Sequence, residues 1–381
     1  MPTIYFITRS FTNVGTSSGG GALARQAQVD VLKACGYNVK VVVPNPNGPS
    51  YEENGIIFIG FKRHKKFWSG LEKIGIIGDA FYPWVLAIHN YLKTSVTKSD
   101  YIMSVTGGTI DTFLVGKKLK ETTGCKLILS YHDPINYTTF NGLVVNKQYI
   151  FRKDHIEKKI MLSADLIFTS SNTFKDALTL KYPFISNRIH NFYFGYNDLQ
   201  KTDAKTFQYP LNIAYAGSFN VHQSPEILHK VAFGISNYHM LFLGYYEHYE
   251  PIKPFLNDKE FLGALDHKDF LKFAKEKIDI GFVSLTNNYL AACFPSKIFE
   301  YINLGLPILG ALPKSDAMDF INQNNIGKAF HFTEVAAMRK YLSELTIEEL
   351  TVQRENVLRL KEQLYFKETL GGMCKQIKNL N

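Results

Sequence analysis

Short apolar runs of strand length alternate with helically spaced segments along most of this chain. Ile4-Tyr5-Phe6-Ile7 is the first run and predicts a buried strand. A loop of small residues, Asn13 to Gly21, follows it. From Ala22 to Ala34 the apolar positions Leu23, Ala27, Val31 and Ala34 fall on one helical side, and Gly36 ends the helix. Val39 to Pro44 is the next strand, so the opening spells strand, loop, helix, strand: a βαβ unit and a parallel sheet. The alternation goes on. Strands are expected at 101–105, 126–131 and 166–169, and helices at 110–121 and 152–163, with His132-Asp133-Pro134 as a polar loop. After a polar, poorly periodic linker (196–209), a second series begins at Leu211. It has strands at 211–217, 240–244, 261–265, 278–283 and 307–310. Helices at 224–233, 267–274 and 295–303 alternate with them. Two βα series predict an α/β chain of two Rossmann-like, doubly wound domains facing a central cleft, with ligands at the carboxyl ends of the strands. The expected division is 1–195 and 196–357, with a final helix near 358–381 packing back on the first domain.

Length agrees with this division, because 381 residues exceed one comfortable core. The first residues lack the pattern of a secretory signal, and no run reaches the ~18 uncharged apolar residues of a membrane helix. Cys35, Cys125, Cys293 and Cys374 show no paired spacing and predict four reduced thiols in a cytoplasmic protein. The net charge of +9 is one-sided. Residues 1–195 hold 23 Lys and Arg against 13 Asp and Glu, and the remainder 20 against 21. An excess confined to one half points to an anionic partner.

Three stretches carry candidate chemistry. The glycines up to Gly20 and Gly21 precede a helix start, which offers N–H groups to an anion; an ordinary βα loop is the alternative. The spacing is neither a dinucleotide fingerprint nor a P-loop. With Pro44-Asn45 closing the second strand, an NAD enzyme is excluded. The second stretch is Phe294-Pro295-Ser296-Lys297-Ile298-Phe299-Glu300-Tyr301, running on to Gly305-Leu306-Pro307. Pro295 suits a first helical turn, whose free N–H groups and Lys297 would meet a pyrophosphate. Glu300 would take both hydroxyls of a ribose; an i, i+3 ion pair with Lys297 is the plainer alternative. The third is Phe61 to Trp68, where Lys62, Arg63, Lys65 and Lys66 stand among aromatics. That composition fits an anionic membrane surface, a nucleic acid or a solvated loop. With no nucleic-acid motif elsewhere, the membrane is favoured.

The run from Phe294 to Gly310 resembles the donor-site motif of GT-B glycosyltransferases, especially family 4 and its relatives in bacterial polysaccharide synthesis. Weaker counterparts are Tyr131-His132-Asp133, Ala164-Asp165-Leu166-Ile167 with Ser170-Ser171, Ala216-Gly217-Ser218, and Phe261-Leu262-Gly263. The resemblance implies transfer of a sugar from a nucleoside-diphosphate sugar, UDP first among them, to a saccharide or lipid-linked saccharide. Retention of configuration is expected, with neither metal nor other cofactor. It implies that Gly20 and Gly21 lie against the donor diphosphate or sugar, and that His132 bonds the sugar near the reacting carbon. Asp133 or His132 is the base if configuration is inverted. Gly217 and Ser218 would border the diphosphate, and Ala264 and Leu265 would cover the base. Ser296 and Lys297 would bind phosphate, Glu300 would hold the ribose, and Phe294 and Pro295 would belong to the same donor-binding stretch. Three features depart from the family pattern: Cys293 stands where an acid is common, Ser218 where an Arg is, and the His222-Gln223 stretch where a Lys is, so two cationic phosphate ligands are missing. Lys297 would then carry more of the phosphate binding. The remaining expectations are a peripheral place on the inner face of the cytoplasmic membrane and, left open, self-association. A catalytically weak partner subunit is the alternative function.

Overall fold

The computed structural model describes residues 2–12, 20–62, 65–74, 76–135, 147–196, 198–255 and 260–380. The chain divides into two compact units, residues 1–194 with 366–381, and residues 195–365.

In the first unit the strands are β1 (Thr3–Ile7), β2 (Asn38–Pro46), β3 (Tyr51–Glu53), β4 (Ile56–Phe61), β5 (Tyr101–Gly107), β6 (Lys126–Asp133), β7 (Leu166–Thr169) and β8 (Ile189–Asn191). Among the described residues they form one sheet in the order β3-β4-β2-β1-β5-β6-β7-β8, parallel except for β3 against β4. The helices are α1 (Gly20–Ala34), α2 (Lys65–Lys73), α3 (Tyr82–Leu92), α4 (Asp111–Thr123), α5 (Lys147–Ser163) and α6 (Asn172–Lys181). Central strands such as β7 are buried at every position, which is why they read as unbroken apolar runs. The chain leaves β1 toward β2 on one side and returns at β5 on the other. The order therefore reverses between β1 and β5, where crossovers diverge to opposite faces.

The second unit holds β9 (Leu211–Ala216), β10 (Tyr238–Leu243), β11 (Phe261–Gly263), β12 (Ile280–Ser284), β13 (Ile308–Leu312) and β14 (Gly327–His331), all parallel in the order β11-β10-β9-β12-β13-β14. Its helices are α7 (Glu226–Ala232), α8 (His267–Lys277), α9 (Ser296–Leu304), α10 (Asp316–Gln323), α11 (Val335–Glu344) and α12 (Ile347–Lys361). Here the order reverses between β9 and β12. The last helix, α13 (Phe366–Lys378), belongs to the first unit and puts Leu370, Met373 and Ile377 into its core.

Three expectations change. The single helix expected near 358–381 is broken by a short 3-10 turn, Glu362–Leu364. Tyr365 after it is extended and pairs with Tyr196 as an isolated parallel bridge. His132 and Asp133 lie on the end of β6 rather than in a loop, because pairing with β5 runs on as far as Gly107 opposite Asp133. The cysteines are not all reduced: Cys35, at the end of α1, is bonded to Cys374 of α13, with Cα atoms 6.5 Å apart. Helix packing brings together two residues 339 positions apart. Cys125 and Cys293 take part in no disulfide. Unfolded without reductant, the protein is expected to show two thiols to Ellman's reagent, and four after reduction. Four in both states would mean that the bond does not form.

Candidate functional site

Each sheet gathers its polar chemistry at the carboxyl ends of its strands, next to the place where the order reverses. In the first unit Gly20 opens α1 and Gly21 follows it in the first turn, while the rest of the glycine loop, 13–19, lies outside the described residues. Arg25 is 8% exposed. Its Nη1 donates to Ser10 Oγ beyond β1, and its Nε has no hydrogen-bond partner among the described residues. A Cβ on Gly107 would meet Arg25 Nη2 at 2.8 Å and Asp133 Oδ2 at 3.7 Å, so the guanidinium and the carboxylate share the space over the end of β5. One turn along α1, Gln28 bonds His132 Nε2 at 3.1 Å and donates to Ser130 at 3.2 Å. Ser170 donates to the His132 carbonyl at 2.8 Å, and Phe194 lies against the ring with centroids 4.3 Å apart. Burial, and secondarily the charge of Arg25, holds the His132 imidazole well below its ordinary pKa. His132 is therefore a fixed, neutral hydrogen-bonding group, while Asp133 beside it is exposed.

Arg9, just past β1, is clamped by two carboxylates, Asp111 Oδ2 at 2.6 Å and Asp79 Oδ1 at 2.5 Å, and lies 3.9 Å over the Phe81 ring. Burial first, and then the neighbouring Asp111 charge, outweighs Arg9 and pushes the Asp79 carboxyl up to about 6. Arg9, Arg25 and Gln28 were not singled out from the sequence. The available signal was the i, i+3 spacing of Arg25 and Gln28 on the first helix after a glycine loop.

In the second unit the Phe294–Glu300 stretch lies on the connection from β12 to α9, beside the reversal. Phe294 is buried, stacked on Phe299 at 4.8 Å and edge-on to Phe320 at 5.5 Å, and anchors the turn in the core. Pro295 takes the N-cap position rather than the first helical turn, and Ser296 begins the helix, exposed, with no side chain capping it. The loop after β9 carries Gly217 and the exposed Ser218. It is laced to the β12 loop by Thr286 N–H to the His222 carbonyl (2.8 Å) and by Ser224 to Thr286 (3.0 Å). Gly244 has a positive φ of 148°, and a Cβ there would run into the Gly217 carbonyl; this close approach requires glycine. Ala264 and Leu265, after β11, are exposed.

Lys297 donates to Glu300 Oε2, so the plainer reading of that pair is the geometry found. Its Nζ also sits 4.5 Å over the Phe270 ring. The other carboxylate oxygen, Oε1, is 3.1 Å from His267 Nε2. Burial alone would raise the Glu300 pKa, but Lys297 and His267 outweigh it and hold the carboxyl below its ordinary value.

The basic stretch is partly helical. Lys62 and Lys66 are exposed, Trp68 is half-buried, and α2 carries Phe67 at 60% exposure with Ile74 and Ile76 beyond it at 61% and 66%. Arg63 and the Lys65 side chain lie outside the described residues. Among the described residues no helix is long and apolar enough to cross a membrane, and no three His, Cys, Asp or Glu side chains gather as a metal-binding group.

No family model and no curated protein matches the chain by sequence. Solved structures match its fold over the whole length. The lipopolysaccharide outer core galactosyltransferase WaaB, in its apo form, is 12% identical with a TM-score of 0.69, all of both chains being covered. The pneumococcal O-GlcNAc transferase GtfA, in complex with UDP and GlcNAc, is 12% identical with a TM-score of 0.66, covering all of this chain and 99% of that one. The trehalose-6-phosphate protein from E. coli bound with UDP-2-fluoro glucose is 10% identical with a TM-score of 0.67, covering 99% of each. The fold is GT-B. The two groups of polar residues belong one to each Rossmann-like unit: Arg25, Gln28, His132 and Asp133 to the first, Gly217, Ser218 and Phe294 to Glu300 to the second.

Because His132 is kept neutral only while folded, the unfolded chain binds a proton that the folded chain refuses. Stability should fall as the pH drops below the ordinary value of 6.5, with a slope approaching about 1.4 kcal/mol per pH unit from this residue. Urea unfolding at stepped pH should show a shallower acid loss for His132→Gln than for the parent. Parallel curves would mean that His132 titrates normally in the fold.

Proposed function

We propose that this chain transfers a glycosyl group from a nucleoside-diphosphate sugar, a UDP-sugar first, to a saccharide or lipid-linked saccharide acceptor in bacterial surface polysaccharide synthesis. The observation that carries this reading is the position of Phe294–Glu300. It opens a helix at the strand-order reversal of the second unit, in a fold shared over full length with structures of glycosyltransferases. Uncapped N–H groups at the start of α9 are the proposed seat of the diphosphate, with Gly217 and Ser218 bordering it. Glu300, ionised and with both oxygens already oriented, is the proposed acceptor for the ribose hydroxyls, next to Ala264 and Leu265 under the base. The charge that develops on the leaving diphosphate would be met by these N–H groups and by Lys297, with no metal invoked. Lys297 must turn from Glu300 toward phosphate to do this, or share itself between them. Neutral His132 is suited to bonding a sugar hydroxyl, and transfer with retention needs no protein nucleophile. Asp133 is the proposed base if configuration is inverted.

One observation favours the second reading, a nucleotide-binding partner with weak activity. The one cation in the α9 motif is engaged by Glu300, and Ser218 supplies none. Release of free sugar from the donor by the purified chain would count against it.

The membrane reading rests on α2 and the residues on either side of it, where Lys62, Lys66 and Lys73 flank exposed Phe67, Ile74 and Ile76. Basic groups with protruding apolar side chains suit an anionic lipid surface, and a peripheral place on the inner face of the cytoplasmic membrane follows as part of the proposal. Neutralising Lys62, Arg63, Lys65 and Lys66 together should weaken co-sedimentation with anionic vesicles. Equal sedimentation of variant and parent would remove the membrane role.

A thermal-shift panel of UDP-, GDP- and ADP-sugars should select one donor class. Glu300→Ala and Lys297→Ala should then each abolish measurable binding of that nucleotide in calorimetry while the fold survives. Unchanged affinity in both would overturn the donor-site reading.

A further inference from the structure

Glu300 is held from two elements. Lys297 comes from its own helix, one turn back, and takes Oε2. His267 comes from α8, where it is the first helical residue after the N-cap Asp266, and takes Oε1 at 3.1 Å. The two helices meet at Phe270, buried on α8 and lying under the Lys297 ammonium. An ionised carboxylate has about four lone-pair directions, so one donor on each oxygen leaves one free direction on each. Those free positions are what a vicinal diol needs from a carboxylate. A carboxylate held at one oxygen only could rotate toward Lys297 and offer both oxygens to it. His267 also stands two residues after Leu265, the residue proposed to lie under the base.

We propose that His267 is a positioning residue for nucleotide recognition: through its Nε2–H bond to Glu300 it fixes the carboxylate in the orientation that receives the ribose diol of a nucleoside-diphosphate sugar. The inference rests on the donor-site reading above. The imidazole faces Glu300 and Lys297 from α9, and Asp198 adds a more distant negative charge. The hydrogen bond to Glu300, partly offset by burial, raises the His267 pKa above its ordinary value. The bond is therefore charge-assisted at the acid side of neutrality and an ordinary one at the alkaline side.

The experiment is calorimetry of the full chain with UDP-glucose, whose diphosphate does not change charge near neutral pH. The parent is compared with His267→Ala, His267→Gln and Glu300→Ala at steps from pH 6 to pH 8.5. His267 is 56% exposed, so its replacement is expected to leave the thermal unfolding midpoint in place. His267→Ala should weaken binding by about tenfold, the scale of one hydrogen bond to a charged group. His267→Gln, which keeps an N–H donor, should recover most of that loss at pH 8.5. The parent should bind more tightly as the pH falls, whereas His267→Gln should be flat. Parent-like affinity in His267→Ala, with Glu300→Ala inactive in binding, would overturn this proposal alone. Equal loss in the Ala and Gln variants, or the same pH dependence in His267→Gln as in the parent, would also overturn it. Undiminished binding by Glu300→Ala, or no binding of UDP-, GDP- or ADP-glucose by the parent, would overturn the donor-site reading and this inference with it.

Discussion

A parallel strand has no short way back, so each one must return through a crossover. All strand-to-helix turns of such a sheet consequently leave from one edge. Where the strand order reverses, at β1 and β5 in one unit and at β9 and β12 in the other, neighbouring crossovers go to opposite faces and leave backbone uncovered between them. The candidate site groups of this chain stand at these two places. Arg25, Gln28 and His132 stand at the first, and the Gly217 loop with the α9 start stands at the second. The strands below are buried on both faces, so a polar group at the edge is satisfied locally or not at all. His132 shows the first outcome, with Gln28 on its ring and Ser170 on its carbonyl, and the Arg25 Nε, which has no partner among the described residues, shows the second.

The same burial explains what the sequence disclosed. Strands covered on two faces are continuous apolar runs, and β7 was legible to the residue at both ends. The polar end of β6 was not, because His132 and Asp133 look like loop residues until β5 is seen pairing beside them. The break after α12 has no proline or glycine to mark it. It is set by Tyr365 meeting Tyr196, a contact across the sequence that no local pattern encodes. The bond between Cys35 and Cys374 was hidden for the same reason. At the candidate site, a motif on one helix disclosed Lys297 with Glu300, whereas His267, 33 positions earlier and on another helix, left no trace of its role.

Burial has opposite consequences at the two edges, and the difference lies in the partners. At His132 desolvation and the charge of Arg25 act in the same direction, and the ring stays neutral. At Glu300 desolvation is opposed by two donors, and the carboxylate stays charged although its side chain is only 17% exposed. A neutral donor–acceptor ring suits a sugar hydroxyl; a fixed carboxylate suits a diol.

The charge balance around Glu300 also bears on the absence of an arginine at Ser218. Lys297 and Glu300 cancel when paired, so the α9 start offers a diphosphate little more than its backbone N–H groups while His267 is neutral. A helix terminus carries roughly half an elementary charge. That is small against the charge of a diphosphate, so binding would depend on whatever frees Lys297 or adds a proton nearby. In the proposed donor site, ribose hydroxyls would take the two free lone-pair directions of Glu300 and draw on the same negative charge that holds the Lys297 ammonium. Occupation of the carboxylate by a diol would thereby loosen the lysine toward the phosphates of the same ligand. In the proposed site the missing arginine would be offset by coupling between two parts of one nucleotide, and nucleoside and phosphate contributions to affinity should then not be additive.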